Sequence, residues 1–249
     1  MKRTVFITGA TSGIGMATAK ILASDYRLIL CGRRQDRLNE IENELKKLTD
    51  VKTLQFDVRD KDGVFNAVES LDDEWKNIDI LINNAGNAHG LAPFDEAELD
   101  DLISMIDINV KGLIYVSKAV VPFLKKSNNA HIVNISSIAG KEVYPNGATY
   151  CASKAAVESL SKGMRFDLLP YGVKVSNVAP GAVETEFSLV RFKGDKEKAE
   201  NVYKGFDPLV AEDIANAIAY LLNQPEHVQL ADITVFPKAQ ASGTNFFKK

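Results

Sequence analysis

Short apolar runs alternate with longer amphipathic stretches along almost the whole chain. Val5 to Thr8, Arg27 to Cys31, Lys52 to Phe56, Ile78 to Ile82, His131 to Ile135, Lys174 to Val178 and Asp232 to Phe236 read as strands. They are rich in Ile, Val and Leu and apolar on both faces, the pattern of strands buried in a parallel sheet. Helical spacing of apolar positions falls between them, over residues 14–24, 36–48, 61–72, 97–126, 150–168 and 211–222. Strict β/α alternation predicts an α/β fold, a doubly wound parallel seven-stranded sheet with right-handed crossovers and helices on both faces. One stretch breaks the rhythm. Residues 184–209 carry many charges and several aromatics and show no strand; following a strand's carboxyl end, they read as a cover over a substrate site. Residues 237–249 form a tail whose Phe246 and Phe247 predict packing at a subunit interface.

With 249 residues and no linker or repeat, the chain reads as a single domain over 1–249. Its net charge of -3, with 25% charged and 45% hydrophobic residues, predicts neither nucleic acid nor a membrane as partner. No apolar run reaches the roughly 18 residues that span a bilayer. Residues 1–4 run straight into the first strand, so no secretory signal is expected. Two cysteines, Cys31 and Cys151, demand no disulfide and agree with a cytoplasmic location. His89, His131 and His227 are scattered, so no metal is expected.

Thr8-Gly9-Ala10-Thr11-Ser12-Gly13-Ile14-Gly15 joins the first strand to the first helix. Its glycines permit a tight turn and close approach to a pyrophosphate, and the helix start offers free N–H groups to it. The sheet is therefore expected to be of Rossmann type. The second strand ends in Cys31-Gly32-Arg33-Arg34, where an acidic residue would bond a ribose 2′-hydroxyl. Arg33 and Arg34 favour a 2′-phosphate instead, hence NADP(H), over the alternative of a solvated helix start. Asp57 closes the third strand, where it can accept from an adenine amino group or simply cap the strand end. Asn83-Asn84-Ala85-Gly86 closes the fourth with small residues suited to a turn against a ligand.

Ser136 and Ser137 follow the fifth strand, and Tyr150 and Lys154 open the next helix one turn apart on a shared face. A neighbouring ammonium lowers the phenol's ordinary pKa of about 10, which would let Tyr150 act as general acid or base near neutral pH. Ser137 would hold the substrate oxygen. Asn109, a poor helix former in the long helix after the fourth strand, is expected to break it and hold a water that relays protons to Lys154.

On TGATSGIG (8–15), NNAG (83–86), Asn109, the serine pair, YCASK (150–154) and Pro180-Gly181 followed by Thr185, the chain resembles the short-chain dehydrogenase/reductase family over nearly its whole length. The resemblance implies a catalytic tetrad of Asn109, Ser137, Tyr150 and Lys154. It implies cofactor contacts at Gly9, Thr11, Ser12, Gly13, Ile14, Gly15, Asp57, Val58, Asn84, Ala85, Gly86, Pro180, Gly181, Val183 and Thr185, besides Tyr150 and Lys154. It also implies a homotetramer built on two long central helices. GRRQDRL (32–38), EWKNIDILINNAG (74–86) and EFSLVRFKGDKEKAENVY (186–203) are similar to the NADP-dependent 3-hydroxy acid dehydrogenase branch, whose substrates are small molecules: serine, allo-threonine, 3-hydroxyisobutyrate or malonic semialdehyde. The rivals are a general carbonyl, sulfoacetaldehyde or 3-oxoacyl reductase and, in another class, a catalytically silent NADP-binding regulator. Small hydroxy acids are anions, and Arg191 is the expected clamp for their carboxylate, with Lys141 as the fallback.

Overall fold

The computed structural model describes residues 2–249. From the amino end the elements are β1 (Thr4–Thr8), α1 (Gly13–Leu22), β2 (Arg27–Gly32), α2 (Gln35–Leu45), β3 (Val51–Gln55), α3 (Lys61–Glu69), β4 (Ile80–Asn83), α4 (Leu99–Ile106) and α5 (Leu113–Leu124). There follow β5 (His131–Ile135), α6 (Ala148–Leu168), β6 (Lys174–Pro180), β7 (Val183–Glu184), α7 (Glu186–Arg191), α8 (Lys196–Asn201), β8 (Leu209–Val210), α9 (Ala211–Leu222) and β9 (Asp232–Val235). Seven strands form one parallel sheet in the order β3-β2-β1-β4-β5-β6-β9. The order reverses between β1 and β4, which opens a crevice at the strands' carboxyl ends.

Period-2 alternation explains the two cores. Val5 and Ile7 of β1 point to the face covered by α1, α2 and α9, with Leu28, Leu30, Ile80 and Ile82. Phe6 points to the other, with Ile29, Leu81, Ile132 and Val120. The edge strands depart from the expected two-faced apolar pattern. Gln55 of β3 is exposed, and β9 alternates exposed and half-buried residues, because each has a neighbour on one side only.

One predicted feature needs correction, and one expected break is seen. Residues 184–209 are not strand-free: β7 and β8 pair in parallel as a small separate sheet at the base of the segment, Val183 opposite Leu209, and α7 and α8 lie between them. The long helix predicted over 97–126 is interrupted by a π-helical stretch, Asp107–Gly112, centred on Asn109. Pro122 sits inside α5. Among the described residues no helix is long and apolar enough to cross a membrane, and no cluster of His, Cys, Asp and Glu is placed to hold a metal.

Candidate active site

A cleft of about 660 Å³ lies over the reversal point, bounded by the 8–15 turn, the ends of β2 to β6, the 184–209 segment and the tail. Gly9 and Gly13 adopt φ values of +65° and +50°, open to glycine at little cost. A Cβ on Gly15 would collide with the Gly9 carbonyl and the Asn84 amide, so the turn and the end of β4 close directly on each other. Asn84 fastens that contact, donating from Nδ2 to Thr8 O at 2.9 Å and to Gly9 O at 3.2 Å. Thr8 Oγ1 accepts from the backbone of Asn84 and Ala85. Thr185 reaches the turn from the far wall, its Cβ 3.4 Å from where a Cβ on Gly13 would stand.

At the β2 end, Arg34 donates to Thr11 O and Oγ1 at 3.3 Å and pairs with Glu186 of α7 at 3.2 Å. Arg37 approaches the same carboxylate at 3.8 Å. Asp57 is gripped by Arg59 through both oxygens, the shortest contact being 2.7 Å, with Arg33 at 3.5 Å. Burial raises the Asp57 pKa, but the Arg59 bonds outweigh it and hold the carboxyl below its ordinary value. Arg59 and Glu186 were not singled out as site residues; Arg59 sits in no motif, Glu186 opens the 186–203 stretch with no role marked for it, and both arrive by tertiary placement.

Ser137, Tyr150 and Lys154 converge at the floor of the cleft. The Ser137 side chain caps a short 3-10 turn, Ile138–Gly140, by accepting from Ala139 N at 3.1 Å. Tyr150 and Lys154, both buried, come from the first turns of α6. Lys154 Nζ donates to Ile135 O at 3.0 Å, and burial without a counter-ion pushes its pKa down to about 8. The expected lowering of the Tyr150 pKa by Lys154 is overturned. Lys154 Nζ lies 6.0 Å from the Tyr150 ring centroid. Burial, helped by Tyr144 and Cys151, drives the phenol well above 10, while Arg191 and a hydrogen bond with Ser137 pull the other way.

Asn109 is buried at the centre of the π stretch, where the widened turn aims its side chain inward. Its amide is spent on protein: Oδ1 accepts from Asn87 N at 2.9 Å, and Nδ2 donates to Asn87 O at 2.8 Å and Ser153 Oγ at 3.0 Å. Gly86 lies between this amide and Lys154; a Cβ there would come within 3.0 Å of Asn109 Oδ1 and 3.2 Å of Lys154 Nζ. The side chain thus pins the Gly86–Asn87 turn beside Lys154.

Arg191 turns into the cleft. Its guanidinium carbon stands 5.0 Å from the Tyr150 ring centroid and 5.6 Å from that of Phe187. Nη2 donates to Tyr144 Oη at 2.8 Å, and the buried Nε has no partner. Lys141, the fallback anion site, is excluded: it pairs with Glu158 at 3.0 Å and Asp232 at 2.9 Å behind the site. The tail lies against its own chain. Phe246 packs on Phe206 of the 184–209 segment at 4.9 Å, and Gln240 Oε1 accepts from Ala182 N at 2.8 Å. Phe247 remains exposed. Tyr144, Gln240 and Phe246 line the cleft yet carry no motif signal in the sequence.

A family model described as short chain dehydrogenase matches residues 3–195. An NADP-dependent 3-hydroxy acid dehydrogenase from Schizosaccharomyces pombe is 41% identical, covering 99% of this chain and 97% of that protein. Sulfoacetaldehyde reductase 2 from Chromohalobacter salexigens is 42% identical, covering 97% and 96%. Among solved structures, the closed form of serine dehydrogenase complexed with NADP+ superposes with a TM-score of 0.93 at 40% identity, covering 99% of this chain and 100% of that one.

Proposed function

Because this chain belongs to the short-chain dehydrogenase family, we propose that it is an NADP-dependent oxidoreductase acting on the hydroxyl group of small 3-hydroxy acids or on the matching carbonyl. The observation that carries the reading is the placement of an inward-facing cation, Arg191, over the ring of Tyr150 in a cleft shared with Ser137 and Lys154. The cleft fits a dinucleotide by its glycine turn, whose closest approaches leave no room for side chains, and by arginines at the β2 end. When bound, the nicotinamide supplies or takes up the hydride.

The chain's own residues do the rest. Ser137 and Tyr150 hold the substrate oxygen. A phenol whose pKa is raised by burial stays protonated at neutral pH, which suits it to donate to that oxygen in reduction. Lys154, with a pKa near 8, is largely charged at pH 7 and is held beside the Gly86 turn by the Ile135 carbonyl. Asn109 holds the Gly86 turn against it. Arg34 and Arg33 take the 2′-phosphate, Arg34 exchanging or sharing Glu186 as it does so. Val58, Ala85, Pro180, Gly181, Val183 and Thr185 complete the cofactor walls, and Ser12 and Ile14 the turn. Arg191 holds the substrate carboxylate by its fork of donors. A sulfonate satisfies the same fork, so sulfoacetaldehyde is a second substrate reading.

Two wider readings follow. Exposed Leu99, Ile103 and Ile114 on α4 and α5 support a homotetramer built on these helices. Two buried free cysteines fit a cytoplasmic enzyme. The test of function is NADPH oxidation with malonic semialdehyde, sulfoacetaldehyde and a neutral aldehyde of similar size. Faster turnover of the two acids, with NADPH preferred over NADH, is expected. Turnover of neutral aldehydes alone would favour a general carbonyl reductase, and none at all a silent NADP-binding protein.

A further inference from the structure

An anionic side chain stands at the β2 end of the cleft, where the 2′-phosphate of NADP has to settle. Asp57, two residues past β3, lines the cleft together with Arg33 and Arg34. Burial raises its pKa, but the bonds from Arg59 hold the carboxyl below its ordinary value, so it is ionised at neutral pH. A carboxylate beside a phosphate dianion repels it, and discrimination between two ligands comes from such repulsion as much as from attraction. A cleft that prefers the phosphorylated cofactor therefore needs the Asp57 charge cancelled.

Arg59 cancels it from behind. Its Nε donates to both carboxylate oxygens, at 3.1 and 3.0 Å, its Nη2 to Oδ2 at 2.7 Å, and its backbone N–H to Oδ1 at 3.0 Å. This is the forked arrangement in which a guanidinium matches a carboxylate best. Arg59 itself stands outside the cleft lining, to which Asp57, Val58 and Arg33 belong. Arg33 approaches the same carboxylate and is held off: its Nη1 stands 3.5 Å from Oδ2, beyond ordinary N–H···O range. Its backbone is fixed, since Gln55 Nε2 donates to Arg33 O at 3.1 Å, while its side chain stays 59% exposed at the cleft mouth. Among the described residues, Arg33 and Arg59 are the cations that pair with Asp57. Asp107, the other acid that acts on Arg59, has its own partner in Lys111 at 2.7 Å.

We propose that Arg59 is a positioning residue that sets cofactor specificity through Asp57: it cancels the Asp57 charge and keeps that carboxylate from drawing Arg33 away from the 2′-phosphate. The proposal rests on the placement of the phosphate at Arg33 and Arg34. Both effects have the same sign. Without Arg59 the carboxylate is left with a free charge, and the cation nearest to it is Arg33, already 3.5 Å away. The phosphate of NADPH then meets one more anion and one fewer free cation. NADH carries no 2′-phosphate, so it neither suffers the repulsion nor needs Arg33 for a phosphate contact.

The experiment is a fluorescence titration of the purified protein with NADPH and with NADH, without substrate. It compares the unchanged protein with Arg59→Met, Arg59→Gln, Arg33→Ala and the double variant Arg59→Met, Asp57→Asn. Arg59→Met should raise the ratio of the NADPH to the NADH dissociation constant on the order of tenfold, the lower range for a hydrogen bond to a charged group, with the NADH constant changed by less than about twofold. Adding Asp57→Asn removes the exposed charge and should bring the ratio back to within about threefold of the unchanged protein. A loss caused by a disturbed turn is not repaired by a second substitution in the same turn. Arg59→Gln serves in place of Arg59→Met should the apolar side chain prevent folding, and the NADH constant reports that each variant is folded. Equal changes for the two cofactors in the Arg59 variants, or a double variant no better than the single one, while Arg33→Ala still raises the ratio, overturns the role of Arg59 alone. A ratio unmoved by Arg33→Ala removes the phosphate from Arg33 and overturns that placement and the role of Arg59 together.

Discussion

The Arg191 guanidinium lies over the Tyr150 ring at 5.0 Å, nearer to it than the ammonium of Lys154 at 6.0 Å. The cation that most directly favours the Tyr150 phenolate in the cofactor-free protein is therefore supplied by α7 of the 184–209 segment, and not by the neighbour one helical turn away. Arg191 lowers a phenol pKa that burial has raised. Removing it must raise that pKa further. In the oxidation direction Tyr150 acts as base and must first lose its proton, so the rising limb of kcat/KM against pH should move to higher pH in Arg191→Met. A neutral alcohol is the substrate for this profile, because it isolates the proton from the anion clamp. With an acid, the same variant should lose an additional 1.5–3 kcal/mol or so of transition-state binding, as for hydrogen bonds to charged groups. A limb that stays put, with equal losses on both substrates, would reduce Arg191 to a wall of the cleft.

Tyr150→Phe removes the proton donor and leaves the ring that packs against Phe187 at 5.7 Å. Turnover should fall by about 10²–10⁴. NADPH binding, followed by fluorescence titration, should change little, since the hydroxyl stands at the floor of the cleft away from the glycine turn. A rate within a few-fold of the unchanged protein would sink the assignment.

Cofactor choice should sit at the β2 end. Arg33 and Arg34 are exposed enough to reach a ligand, and their carboxylate partners, Asp57 and Glu186, hold them at the cleft rim. The Arg33→Asp, Arg34→Ala double variant should raise the KM for NADPH by far more than that for NADH, because a charge-assisted contact is lost and a like charge is added. Equal changes in the two constants would show that the arginines only brace α7 and Asp57.

The sheet was legible because buried parallel strands leave a continuous apolar signature, and the order of motifs along the chain anticipated that Ser137, Tyr150 and Lys154 line one crevice. Edge strands were less clean, since Gln55 and Asp232 face water. The β7–β8 ladder is two residues long per strand, too short to leave a period. The π stretch leaves no hydrophobic period of its own beyond the poor helix former Asn109, and the partners of that amide, Asn87 and Ser153, come from elsewhere in the chain. The Tyr150 environment was misread for a similar reason. Spacing puts Lys154 on the right face, but whether an ammonium or a guanidinium lies closer to the ring depends on how α7 folds back, which local sequence does not encode.

Lys154 offers a test in the free protein that does not depend on turnover. Its folded pKa is about 8, against about 10.4 in an unfolded chain. Between those values the unfolded state binds more protons, so this group makes stability rise with pH there. The difference in unfolding free energy, unchanged protein minus Lys154→Met, should therefore grow from pH 7.5 to pH 10 in urea titrations. A flat or falling difference would mean that the ammonium is better solvated than its burial implies.

The tail is the last case: it makes contacts within its own chain and leaves Phe247 exposed. Gln240 reaches Ala182, the residue between the Pro180-Gly181 turn and β7, and Phe246 sits on Phe206. Lys249 N donates to Gly205 O at 2.9 Å, so the chain end is fastened to the same segment. These contacts bear on the position of residues 184–209, and through it on Thr185 and Arg191. Deleting residues 240–249 removes the hydrogen bonds to Ala182, Gly205 and Glu142, each worth about 0.5–1.5 kcal/mol, together with an aromatic contact of about 0.5–1.5 kcal/mol. The truncated protein should show a several-fold rise in KM for the acidic substrate and a lower melting temperature, with its mass by light scattering unchanged. A truncated protein of lower mass and unaltered KM would return the tail to a subunit interface; the contact with Ala182 predicts the opposite, because freeing that backbone N–H loosens the start of the covering segment in every copy, assembled or not.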